Sequence, residues 1–214
     1  MVQTIAASVM WKVDSMPLEL RAILWAAQVR LEPLQPEHAD GLRVAADDPS
    51  IWAHMPMDGS GAGFDDWFDR SLQLAMAGRE AVWAVRTLAD GALVGSTRYL
   101  SIAAEHRRLE IGHTWYRRSV WGGRVNPACK LALLRYGFET LGLNRVELKT
   151  DSLNLRSQAA IARLGAVREG VFRAHMVRRD GTMRDSVYFS ITREDWPRVR
   201  DGLAVRLGRA AEAA

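Results

Sequence analysis

Cysteine is almost absent: Cys129 is the only one in 214 residues. An internal disulfide framework is thereby excluded, and a single thiol suits a reducing compartment, so a cytoplasmic location is expected. No apolar run reaches the ~18 residues that a membrane-spanning helix needs, and no membrane partner is expected. Residues 1–16 lack a basic segment followed by a clean apolar core, so no secretory signal is expected. The histidines, His38, His54, His106, His113 and His175, show no ligand spacing, which predicts no metal. There is no internal repeat and no linker of biased composition. A chain of this length fills one well-buried domain and hardly two.

What is present is an ordinary soluble composition with a basic surplus. Lys and Arg number 29 against 25 Asp and Glu, a net charge of +4. That balance suits an anionic ligand. The arginines are spread along the chain and the aromatics mostly follow core periodicity, so direct nucleic-acid contact is not expected.

Taken in order, residues 1–27 read as an N-terminal extension in which Ala22–Ala27 forms at most a short helix. Val29 and Leu31 alternate with Arg30 and Glu32, predicting a strand over Gln28–Leu34. A helix follows over His38–Ala46. The Asp-, Pro- and Gly-rich loop Asp47–Gly63 carries Trp52, Met55 and Met57, destined for the core or for a substrate-side wall. Asp65 and Asp66 mark the start of a helix that Gly78 closes. Three strands come next, Ala81–Leu88, Ala92–Ile102 and Arg108–Tyr116, the first two joined by an Asp90-Gly91 hairpin turn.

Ala128–Leu141 has Leu131, Leu134, Phe138 and Leu141 along one helical face. The remainder reads as strand Arg145–Thr150, short helix Asp151–Leu164, strands Ala166–Val177 and Met183–Ile191, and a helix from about Thr192. Residues 206–214 read as a frayed tail, leaving a domain over 28–205. The pattern predicts an α+β (mixed α/β) fold. Its sheet is mixed and mostly antiparallel, parallel only around Arg145–Thr150, and flanked by helices.

Two stretches carry chemistry. Trp121-Gly122-Gly123-Arg124-Val125-Asn126 is a glycine turn that feeds a helix, which presents backbone N–H groups to an anion. Asn154 and Ser157 lie one helical turn apart and can face one ligand; as a plain alternative, Asn154 is an N-cap. Cys129 reads as a buried small side chain.

Together Glu110-Ile111-Gly112, the Trp121-Gly122 turn, Asn154-x-x-Ser157, Leu164-Gly165-Ala166 and Glu169-Gly170-x-x-Arg173 resemble a GNAT acetyltransferase. The resemblance is to the branch holding the Rim-type ribosomal-protein N-terminal acetyltransferases, and covers residues 28 to about 205. It implies a splayed sheet and transfer of acetyl from acetyl-CoA to a primary amine, on a protein N-terminus or a small molecule. It places the diphosphate on Trp121, Gly122, Gly123, Arg124, Val125 and Asn126, the pantetheine beside His113, Thr114 and Trp115, and the cofactor arm on Asn154. Glu110 becomes the base, with its carboxylate on one face with Thr114. Ser157 becomes the acid for the leaving thiolate, and Glu169 the second carboxylate choice.

Aligned on Gly122, the turn departs from the family pattern at Ser119 and Arg124. Arg124 is therefore read either as a cation on the diphosphate or as a residue forced to positive φ. A catalytically weak CoA-binding module of the same fold and a basic ribosome-associated protein are the competing readings. A homodimer is the oligomer expected by default.

Overall fold

The computed structural model describes residues 20–209. Eight strands form one sheet in the order β1-β2-β3-β4-β5-β6-β8-β7. They are β1 (Leu24–Ala26), β2 (Val29–Pro33), β3 (Ala81–Thr87), β4 (Leu93–Ala103), β5 (Arg108–Tyr116), β6 (Arg145–Asp151), β7 (Val167–Val177) and β8 (Met183–Thr192). Every pairing is antiparallel except β5 with β6. That exception follows from the helical crossover between them, because a parallel pair cannot be closed by a hairpin.

Helices α1 (Ala39–Ala46) and α2 (Phe64–Met76) cover one face of the first half of the sheet. Helices α3 (Val125–Arg135) and α5 (Trp196–Arg209) pack on the other face, and α4 (Leu155–Ala162) follows β6. Alternation along the strands fills two cores. Ala81, Trp83 and Val85 of β3 point to the α3 and α5 side; Val82 and Ala84 point to α1 and α2. The second core is aromatic, with Trp52, Trp67 and Trp115 in mutual ring contact and Phe64 against Trp67. Among the described residues, β6, β8 and β7 place no buried side chain in the core beneath α1 and α2.

Three expectations change. Residues 24–26 are not an unattached extension: they form β1, with Leu24 and Ala26 buried while Trp25 is exposed. Three residues are too few for a periodicity to be read. The C-terminal helix continues through the supposed tail to Arg209, anchored by buried Leu207. The helix expected over Ala128–Leu141 begins earlier, at Val125, and changes to a wider π turn over Tyr136–Thr140. Residues 1–19 and 210–214 lie outside the described residues.

Candidate active site

The site begins where two strands part company. β5 and β6 pair through Arg108 with Arg145, Leu109 with Val146 and Glu110 with Glu147, and no further. Beyond that rung β5 continues to Tyr116 and β6 to Asp151, leaving a wedge between them. A cleft of about 360 Å³ occupies it, lined by both strands, the glycine turn and α4.

A bulge shapes the β5 wall. Ser96 pairs with Trp115 and Arg98 with Gly112, so Thr97 faces both His113 and Thr114. His113 takes the left-handed conformation, φ 45°. One extra residue shifts the alternation of every residue after it. Glu110 therefore sits on the face opposite α3, whereas Thr114 points to the α3 side, and the expectation that they share a face is corrected. There Thr114 Oγ1 meets Thr97 Oγ1 at 2.7 Å and accepts from Lys130 Nζ at 2.8 Å.

Glu110 is 4% exposed, with Oε2 3.2 Å from Lys149 Nζ. Burial raises its carboxyl above the usual carboxylate range, and the Lys149 ammonium opposes that rise. Its carboxylate folds over Gly112, where a Cβ would stand 2.9 Å from Oε1. Any side chain at that position would have to displace the Glu110 carboxylate and the Leu100 side chain, which stands 2.8 Å away. Half-buried His113 is held neutral, its pKa pushed down to about 3 by burial and by Arg98, Lys149 and Arg184.

At the other end, Gly122 has φ +74° with open space where a Cβ would be. Only this glycine of the pair uses positive φ. Trp121 braces the turn through its indole N–H, donated to the Tyr116 carbonyl at 2.7 Å, and the Arg156 guanidinium lies 3.5 Å from its ring centroid. α3 has no side-chain N-cap, so the N–H groups of its first turn are left for an outside acceptor. Gly122, Gly123 and Asn126 line the cleft, together with Arg156, Arg163 and Arg206.

Asn154 and Ser157 also line the cleft, and Asn154 Oδ1 accepts the Ser157 N–H at 3.0 Å. Asn154 is therefore an N-cap and a wall residue at once. His113, Thr114, Trp115 and Trp121 line the same space.

Two expected site residues are elsewhere. Arg124 has φ −89°, an ordinary helical value, and its guanidinium donates to the Leu207 carbonyl of α5. It is neither strained nor turned to the cleft. Val125 buries its side chain in the core and keeps its backbone N–H in the first turn of α3. Glu169 is held by both terminal nitrogens of Arg145 and by Ser190 Oγ at 2.6 Å, away from the cleft lining. The Arg145 hydrogen bonds hold its pKa down at about 2, where a carboxylate is a poor base.

Sequence reasoning missed Lys130, Lys149 and Arg184. The alternation Glu147, Lys149, Asp151 along β6 was the available signal for a polar face there. In the loop, Trp52 is fully buried, Met57 packs against the second core, and half-buried Met55 both touches that core and lines the cleft. The core expectation holds for Trp52 and Met57, while Met55 is shared between core and cleft lining.

Residues 28–167 match the acetyltransferase (GNAT) domain family. A relative from Bacillus subtilis, "Putative ribosomal N-acetyltransferase YdaF", is 34% identical over 51% of this chain and 58% of its own length. The chain thus spans under two thirds of that relative. A GCN5-related N-acetyltransferase from Brucella melitensis superposes with a TM-score of 0.82 at 27% identity, covering 89% of this chain and 87% of the other. RimJ of Mycobacterium smegmatis, solved with CoA-disulfide, shares the fold at a TM-score of 0.72 and 23% identity, covering 86% and 93%. No helix among the described residues is long and apolar enough to cross a membrane, and no group of three or more His, Cys, Asp or Glu among them could hold a metal.

Proposed function

The chain belongs to the GNAT acetyltransferase family, and from that premise we propose that it transfers an acetyl group from acetyl-CoA to a primary amine. The observation that carries this reading is the parting of β5 and β6 at Glu110. It opens a passage through the sheet, with a buried carboxylate on one face and a helix N-terminus on the other.

The residues present fit the cosubstrate. A diphosphate would lie on the first-turn N–H groups of α3 and the open arc at Gly122, with Arg156, Arg163 and Arg206 supplying counter-charge. The β5 backbone past Glu110 has lost its β6 partner, so it can bond an extended pantetheine amide chain. Asn154 and Ser157 close that channel from α4.

In the reaction, the amine nitrogen bonds the thioester carbonyl carbon and its proton goes to the Glu110 carboxylate. A backbone N–H at the His113 bulge supports the developing oxyanion. The carbon–sulfur bond then breaks, and the Ser157 hydroxyl donates to the departing thiolate. Cys129 takes no part, because burial pushes its thiol up to about 11. The acceptor is a protein N-terminus or a small amine, and the reading places the reaction in the cytoplasm.

The test is release of the CoA thiol across a panel of amines, beside thermal shifts with acetyl-CoA. Amine-dependent release that E110Q abolishes near pH 7 supports the reading. A CoA-induced shift without release for any amine would leave a binding module.

A further inference from the structure

The acceptor side of the cleft contains a cation that the protein itself leaves nearly unused. Arg184, near the start of β8, lines the cleft with only 11% of its side-chain surface exposed. Its Nε is buried and has no hydrogen-bond partner among the described residues. The nearest carboxylate, Asp151 Oδ2, is 4.0 Å away. Asp151 is already committed, because Arg178 donates to its two oxygens at 2.7 and 2.9 Å. A largely buried guanidinium whose Nε has no acceptor, and whose ion pair with Asp151 is long and shared with Arg178, is costly unless a ligand completes it.

The location identifies that ligand's side of the reaction. Arg184, Lys149 and Glu110 all lie on the sheet face opposite the α3 helix that holds the glycine turn. Lys149 is satisfied by Glu110 at 3.2 Å. Among the described residues around Glu110 on this face, Arg184 is the cation left without a close acceptor.

Building on the acetyl-transfer reading, we infer that the acceptor carries a carboxylate beside its reacting amine and that Arg184 binds that carboxylate. A polyamine would instead set a second ammonium against Lys149 and Arg184, a like-charge contact that selects against it. The carboxylate belongs either to a free amino acid or to an acidic side chain next to a peptide N-terminus.

Matched acceptor pairs separate these sources: glutamate with its diamide, and short N-terminal peptide amides with Glu or Gln in the second position. In at least one pair the acid is expected to exceed its amide at least tenfold in kcat/KM, mostly through KM. R184Q should reduce that preference at least tenfold, and R184K should restore part of it. Calorimetry of the N-acetylated products on the CoA-loaded protein gives a second readout independent of turnover. There R184Q should weaken binding of the acid at least tenfold.

Equal rates within both pairs, a polyamine as the best acceptor, or a preference that survives R184Q would each overturn the assignment. If no amine is acetylated yet the acidic products bind through Arg184, acetyl transfer fails while the acidic ligand stands. R184K, which keeps charge and bulk, guards against misfolding as the cause of any loss.

Discussion

Glu110 Oε2 stands 3.2 Å from Lys149 Nζ at the last rung that joins β5 to β6. The pair sets the working range of the carboxylate, since burial raises its pKa and Lys149 lowers it. A base acts only when deprotonated, so K149M, which removes the largest influence opposing burial, moves the acid limb of kcat/KM to higher pH. E110Q should cost roughly 10²–10⁴ in rate at pH 7. The loss should shrink at high pH, where free amine is abundant. A pH–rate profile on each variant checks both signs, and a loss equal at every pH would remove Glu110 as the base.

Gly122 is the position in the turn that a side chain should disturb most. At φ +74°, G122A is expected to cost about 1–2 kcal/mol from backbone strain alone. Space is not the obstacle, because nothing lies within 4 Å of the added Cβ. If the N–H cradle relaxes to relieve that strain, CoA binding should weaken as well. Melting with and without CoA separates the effects: a smaller ligand-induced shift in G122A reports the cradle.

The fold was legible where chemistry is local. Asp90-Gly91 marks a hairpin, alternation marks strands, and strand–helix–strand connectivity marks the parallel pair. The site was legible only as far as its residues announce themselves in short motifs. Glu110 and Gly112 are two apart, and Asn154 and Ser157 three apart, so both pairs could be read. Arg145 and Glu169 are 24 residues apart, and nothing local marks their ion pair. The bulge at His113 is a backbone event that reverses which face Thr114 takes, with no residue type to signal it. Arg124 stands in a turn whose motif suggests an anion, yet a carbonyl at the far end of α5 captures its side chain.

That capture makes Arg124 a structural residue with a testable signature. Its guanidinium donates to the Leu207 carbonyl near the C-terminal end of α5, where a cation also complements the helix dipole. R124A should lower stability by about 1.5–3 kcal/mol, the range for a charged hydrogen bond. CoA affinity should stay within about threefold of wild type. Urea unfolding and calorimetry together decide it, and a large loss of CoA affinity at unchanged stability would return Arg124 to the diphosphate.

Glu169 should matter to stability at neutral pH and not to catalysis. Its carboxyl is lowered to about 2 in the folded protein against an ordinary 4.5, held down by Arg145 and helped by Ser190. Stability from a depressed carboxyl is present above pH 4.5 and is lost as pH falls toward 2. The side chain is 39% exposed, so solvent screening limits the contribution to about 1 kcal/mol. E169Q should be destabilised by that amount at pH 7, match wild type near pH 2, and retain kcat. Unfolding curves at the two pH values check the convergence.

Lys130 is the clearest place where stability and site architecture pull apart. It is 5% exposed in α3, and burial pushes its ammonium pKa down to about 8 from 10.5. A depressed lysine means that the unfolded chain binds the proton more tightly. Wild-type stability should therefore rise with pH between 8 and 10.5. At 1.36 kcal/mol per pH unit, the penalty carried below pH 8 is about 3 kcal/mol. K130M removes that penalty and loses the hydrogen bond to Thr114, worth about 1 kcal/mol. The variant should thus be more stable than wild type by about 2 kcal/mol at pH 7. Above pH 10.5 the order should reverse, because only the lost hydrogen bond remains. Turnover should fall nonetheless, since Lys130 fixes Thr114 at the β5 bulge beside the proposed pantetheine path. Urea titrations at pH 7 and 11 with parallel rate measurements decide the matter, and a stability gap that does not change with pH would show that Lys130 carries no buried charge.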